Sequence, residues 1–132
     1  GDAVLIGHRS ESLDGAAAAE LSRVPAGLRQ IPAPAVVEDP AAAGARAAGL
    51  LADTGAGSWL HLDLDVLDPR SMPAVTYPEP DGPDWDQLTA LLLPLACSPR
   101  LLGVSVADFR PDLDPDGEHA RRIVDLLVGV LP

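Results

Sequence analysis

Apolar positions in this chain come in short unbroken runs, separated by Ala-rich, Pro-rich and polar stretches. Ala3 to Ile6 reads as a short buried strand closed by Gly7. Asp14 is placed to cap a helix over Ala16 to Leu21, which Pro25 and Gly27 end. Residues 28–40 hold three prolines, so a strand there is expected no further than Val36 and Val37. Ala41 to Ala52 is Ala-rich and helical, and Thr54 to Ser58 is a loop. Trp59 to Leu67 is apolar and strand-like, with polar residues at 61, 63 and 65. Residues 68–84 carry five prolines and form a loop, from which Asp84 caps a helix running to about Cys97. Leu101 to Ala107 is another buried strand. Asp114 then Pro115 reads as N-cap and first position of a last helix reaching Val130. Strands alternating with helices, and strands apolar along their whole length, predict one α/β domain with a parallel sheet.

Charge narrows the partners. The 132 residues include 20 acidic and 9 basic ones, a formal net charge of −11, and every basic residue is arginine. Nucleic acid and anionic membrane surfaces both require a basic patch, so neither is an expected partner. A cation is: a metal ion, or a positively charged small molecule. Cys97 is the single cysteine, which excludes an internal disulfide and a thiolate zinc site. The longest apolar run, Leu88 to Cys97, is about half of the roughly 20 residues that span a bilayer. With no charged-then-apolar signal segment, the expected compartment is the cytoplasm. The chain enters an apolar run within three residues of Gly1, and the expectation is a piece of something longer.

The chemistry concentrates in one run. Alternation along a strand puts His61, Asp63 and Asp65 on one face, and Leu60, Leu62, Leu64 and Val66 on the other. Two carboxylates two residues apart raise each other's pKa, and a bound cation removes that penalty. Ligands of open α/β sheets gather at the carboxyl ends of strands, where these residues fall. Carboxylates suit hard divalent metals such as manganese or magnesium. The spacing equally allows the two Asp to cap the following turn.

The longer pattern is more specific. Asp63-Leu64-Asp65, Pro69, Pro73-Ala74 and Gly82 have the form D-x-D-x(3)-P-x(3)-P-small-x(7)-G. This resembles the second metal signature of the arginase and agmatinase family, the ureohydrolases. Val4 to Arg9 is similar to that family's strand ending in Gly-x-Arg, and Val104 to Pro111 to its last strand. The resemblance implies a three-layer α/β/α fold around a parallel sheet. It also implies hydrolysis of a guanidino or amidino C–N bond by two manganese ions sharing a hydroxide, and an oligomeric parent protein. By position Asp63 matches the Asp bridging both metals, and Asp65 the Asp on the second metal. Asp108 falls where the family pairs a Glu with the substrate guanidinium, a charge-assisted contact.

The departures bear on the substrate. His61 stands where the family has Ser or Thr; it is either a further ligand or a hydrogen-bonded core histidine. Asp108 is one methylene shorter than Glu, Arg110 replaces Asn, and Val75 to Pro78 is bulkier than the usual Thr-Gly-Thr-Pro. Glu79, in the Pro-rich loop, is a candidate to face substrate. The family's Gly-Gly-Asp-His and Asp-Ala-His-x-Asp segments are absent, and the histidines are only His8, His61 and His119. The resemblance therefore implies the C-terminal portion of a ureohydrolase domain. Such a fragment is expected to be inactive alone, with a sheet edge exposed for the N-terminal half. The rival reading is a non-catalytic arginase-fold relative acting as a binding or assembly module. Asp112, Asp114, Asp116 and Gly117 imitate the start of a calcium loop, but Ile123 stands in place of the closing Glu and helix capping explains them better.

Overall fold

A computed structural model of the chain describes residues 3–9, 23–25 and 27–132. β1 (Val4–His8) and β2 (Arg29–Pro32) pair in parallel, with Ile6 opposite Ile31. The register shifts between Ile6 and His8, where Gly7 takes φ +82°. A side chain at Gly7 would run into Val66, so the glycine serves both the bulge and a close approach. The predicted helix at 14–21 lies outside the described residues.

α1 (Ala33–Glu38) follows β2 directly, and here the expectation of a strand at Val36 and Val37 is corrected. Pro34 sits in the first helical turn, where its fixed φ suits a helix and its missing N–H costs nothing. Val36 is then buried while Val37 faces outward. α2 (Pro40–Ala52) starts from Asp39, whose side chain accepts from the Ala42 amide at 3.0 Å.

β3 (Ser58–Asp63) pairs in parallel with β4 (Leu101–Ala107), aligning His61 with Ser105 and Asp63 with Ala107. α3 (Trp85–Ala96) connects them and packs on α2. The N-terminus of α3 is the one anticipated: the Asp84 carboxylate accepts from Gln87 N at 2.8 Å, and Gln87 Oε1 accepts from Asp84 N at 2.9 Å. α4 (Glu118–Val130) packs on α3 through Ile123, Leu126 and Val130. Its start is corrected by three residues, to Gly117 as N-cap. Asp114 still performs the capping, accepting from the amides of His119 and Ala120 at 3.1 and 2.9 Å.

The strand predicted over 59–67 also stops early. β3 ends at Asp63, and Leu64–Val66 forms a single 3-10 turn. In such a turn residues three apart eclipse, which drops both Leu64 and Leu67 into the core, each 0% exposed. The Pro-rich segment beyond is loop, as expected, but it is packed: Met72, Ala74 and Val75 are buried and belong to the same core as Leu62, Leu88 and Ile31. The β3–β4 pair leaves Trp59 and Leu102 exposed. No helix among the described residues is long and apolar enough to cross a membrane.

If this core holds the loop in place, Leu67→Ala destabilises the protein by about 2–5 kcal/mol. Val128→Ala, on the open face of α4, shifts it by less than about 0.5 kcal/mol. Urea denaturation of the two variants checks the contrast.

Candidate functional site

Three chain segments end at one place. β3 delivers Asp63 and the 3-10 turn delivers Asp65. Asp108, the residue after β4, delivers the third carboxylate. One carboxylate oxygen from each lies within 4.8 Å of the others. The route differs from the one alternation implied. Asp65 is past the end of the strand, and the turn, not a shared strand face, brings it to Asp63.

Asp108 is aimed by its backbone. It takes φ +63°, a left-handed conformation that Asp tolerates better than most residues. Its Oδ2 accepts from the Thr76 amide at 3.0 Å, and the Arg110 amide donates to the Ala74 carbonyl at 2.9 Å. The end of β4 is thereby tied to the Pro-rich loop.

The environments push two of these acids in opposite directions. Burial, then the neighbouring charges of Asp63 and Asp108, raise Asp65 to about 6, and a hydrogen bond with Asp63 adds to the rise. Hydrogen bonding from Thr76 holds Asp108 below the usual carboxylate range, with Arg110 assisting. Three carboxyl groups thus face one point, and Asp65 among them resists ionising. A donor set of clustered carboxylate oxygens fits a hard divalent cation, which would relieve that repulsion.

The other anticipated residues fall around this cluster. His61 is exposed and outside it; its Nδ1 lies 2.8 Å from Ser105 Oγ, which also accepts from Trp59 Nε1 at 3.1 Å. The alternative of a core-buried histidine is therefore corrected: the hydrogen bond is present, the burial is not. Glu79 contributes its backbone carbonyl to the site frame rather than a carboxylate to the cluster. Arg110 does not point its charge at the cluster's centre, because it pairs with Asp112 at 2.6 and 2.8 Å. Asp112 and Asp114 are thus each engaged, one by Arg110 and one by α4.

Sequence reading missed the supports. Asp68, buried under the loop, accepts from Arg70 through Nε (2.7 Å) and Nη2 (3.2 Å), and from the amides of Arg70 (2.9 Å) and Asp81 (3.0 Å). The Arg70 side-chain bond, first among these, pulls it down to about 2. Arg9 reaches the same loop from β1 and donates to four backbone carbonyls. Its place in Gly-x-Arg was the available signal, since an arginine at the end of a buried strand needs acceptors.

The raised Asp65 fixes a sign for stability. Between about pH 4 and 6 the folded protein holds a proton that the unfolded chain releases. This group therefore favours folding at low pH, and that contribution is lost as pH rises through 6. Without metal, Asp65→Asn is expected to stabilise the protein at pH 7 and to lose that advantage at pH 4. The gain is on the order of 1 kcal/mol after allowing for solvent screening. Urea titrations at the two pH values measure it.

The arginase-family model matches residues 2–131. Formimidoylglutamase of Klebsiella pneumoniae (strain 342) is 41% identical over 63 residues, covering 48% of this chain and 20% of that protein. The corresponding enzyme of Chromobacterium violaceum is 40% identical over 63 residues, with the same coverage. Among solved structures, arginase from Bacillus caldovelox superposes with TM-score 0.80 at 26% identity, over 97% of this chain and 42% of that one. Formimidoylglutamase from Bacillus subtilis gives TM-score 0.80 at 20% identity, over 96% and 39%, a likeness of fold alone. The chain thus spans a fifth of the first of these curated relatives and about two fifths of the solved structures. With the parallel strands, the signature run and the convergent carboxylates in place, a match over residues 2–131 means that this chain belongs to the arginase family.

Proposed function

We propose that the protein hydrolyses a guanidino or amidino C–N bond, with manganese, and that these 132 residues are the C-terminal portion of its catalytic domain. The observation that carries the reading is the meeting of Asp63, Asp65 and Asp108 at the ends of two parallel strands. Formimidoylglutamases are the sequence relatives named above, and a formimidoyl group is an amidine. That favours an N-formimidoyl amino acid over arginine as substrate, in keeping with the bulkier wall at Val75 to Pro78.

In this reading Asp63 and Asp65 are the residues of this chain that would hold the metal. The metal pair, when bound, supplies a water of lowered pKa and stabilises developing negative charge. Asp108, kept ionised by Thr76, orients the cationic amidinium through a charge-assisted hydrogen bond. His61 and Glu79 lie outside the carboxylate cluster and are given no metal in this reading. The remaining ligands would come from the N-terminal half of the domain, pairing at an edge of the two-stranded sheets.

The test is an assay of the full-length, manganese-loaded protein against arginine, agmatine and N-formimidoyl amino acids. Urea reports the first two, and formamide the last. Formamide release is expected, falling to background in Asp63→Ala and Asp65→Ala. Asp108→Asn is expected to lower kcat/KM by about 100-fold, as loss of one such charged contact does. No hydrolysis of any of these substrates would contradict the reading and favour a non-catalytic relative.

A further inference from the structure

We propose that Arg9 is the positioning residue of the carboxylate cluster: its guanidinium fastens the turn that presents Asp65 to the far limb of the Pro-rich loop. The proposal rests on the metal reading above. Arg9 Nη1 donates to the carbonyl of Asp65 itself at 3.0 Å. Nη2 donates to Leu67 at 3.1 Å and to Glu79 at 3.0 Å, and Nε to Pro80 at 3.4 Å. Two acceptors lie on the 3-10 turn and its exit, and two on the loop 12 or more residues further along. One planar fork thus fixes the backbone of Asp65 against a segment that has no ladder of its own. Neutral side chains lack enough donors for this, and a Lys ammonium cannot present them in a plane.

Two glycines make room for the contact. A Cβ at Gly82 would meet both Arg9 Nη2 and the Val66 carbonyl oxygen. Gly7, two residues before Arg9, lets Val66 close onto β1. Gly82 is the last residue of the signature run, and its lack of a side chain has a physical reason. It leaves the gap through which the guanidinium reaches the turn.

Geometry and charge act on a bound cation with opposite signs, which makes the proposal decidable. Arg9 is a positive charge among Asp65, Glu79, Asp68 and Asp81. If it acted only by charge, removing it would tighten cation binding. As a positioning residue, its removal loosens the site. The experiment uses the full-length protein, with Arg9→Lys, Arg9→Ala and Gly82→Ala variants, and measures manganese affinity and amide hydrogen exchange. All three variants are expected to bind manganese at least about tenfold more weakly, the usual cost of losing a residue that orients a ligand. The amides of Leu67, Asp68 and Asp81 should exchange faster, while those of α3 stay protected.

Unchanged or tighter manganese binding in Arg9→Ala overturns the proposal, as does unaltered exchange at those three amides. Equal loss of protection in α3 also overturns it, because Arg9 would then support the whole fold. If the parent protein binds no manganese, the metal reading falls, and exchange alone decides whether Arg9 holds the two segments together.

Discussion

Like charges brought to one point push the chain apart, and in this protein the fold has to hold Asp63, Asp65 and Asp108 together against that push. Part of the cost shows in Asp65, whose pKa burial and the neighbouring carboxylates push up to about 6. Part shows in Asp108, whose backbone sits in the left-handed region. Such strain persists only where the surroundings over-determine it. Here the Thr76 amide, the Ala74 carbonyl and the end of β4 hold Asp108, while Arg9 holds the 3-10 turn that carries Asp65.

The same constraint explains why the Pro-rich loop is packed rather than loose. A loop that aims a carboxylate must be fixed nearly as well as a strand. Met72, Ala74 and Val75 bury one side of it, and Trp85 Nε1 donates to the Ser71 carbonyl at 2.9 Å. The buried Asp68 gathers Arg70 and the Asp81 amide about a single carboxylate. Its polar contacts are satisfied, so burial there adds rigidity instead of a penalty.

Much of this could be read from the sequence. The α/β alternation and the Asp84 cap have local causes, the Asp63 to Gly82 spacing carries the family resemblance, and the structure and the family match agree with them. What escaped was set by distant partners. Trp59 to Leu67 has the composition of one long strand, and only the burial of Leu64 and Leu67 in a shared core turns its end into a 3-10 turn. Val36 and Val37 favour a strand by propensity, yet Pro34 after a short strand starts a helix. The convergence of Asp108 on Asp63 needed the register of β3 on β4, and the work of Arg9 needed contacts 56 to 71 residues away. His61 drew notice by sharing a face with Asp63, and the face is shared, but its partner is Ser105.

On the proposed reading Asp63 and Asp65 hold a divalent cation beside Asp108, and Asp65 gives up a proton to do so. Calorimetric titration of manganese into the full-length protein at pH 6, in two buffers of different ionisation enthalpy, tests it most directly. Binding with proton release is expected, both lost in the Asp63→Ala, Asp65→Ala double variant. Binding that is unchanged in the double variant, or no binding by the parent, would contradict the claim.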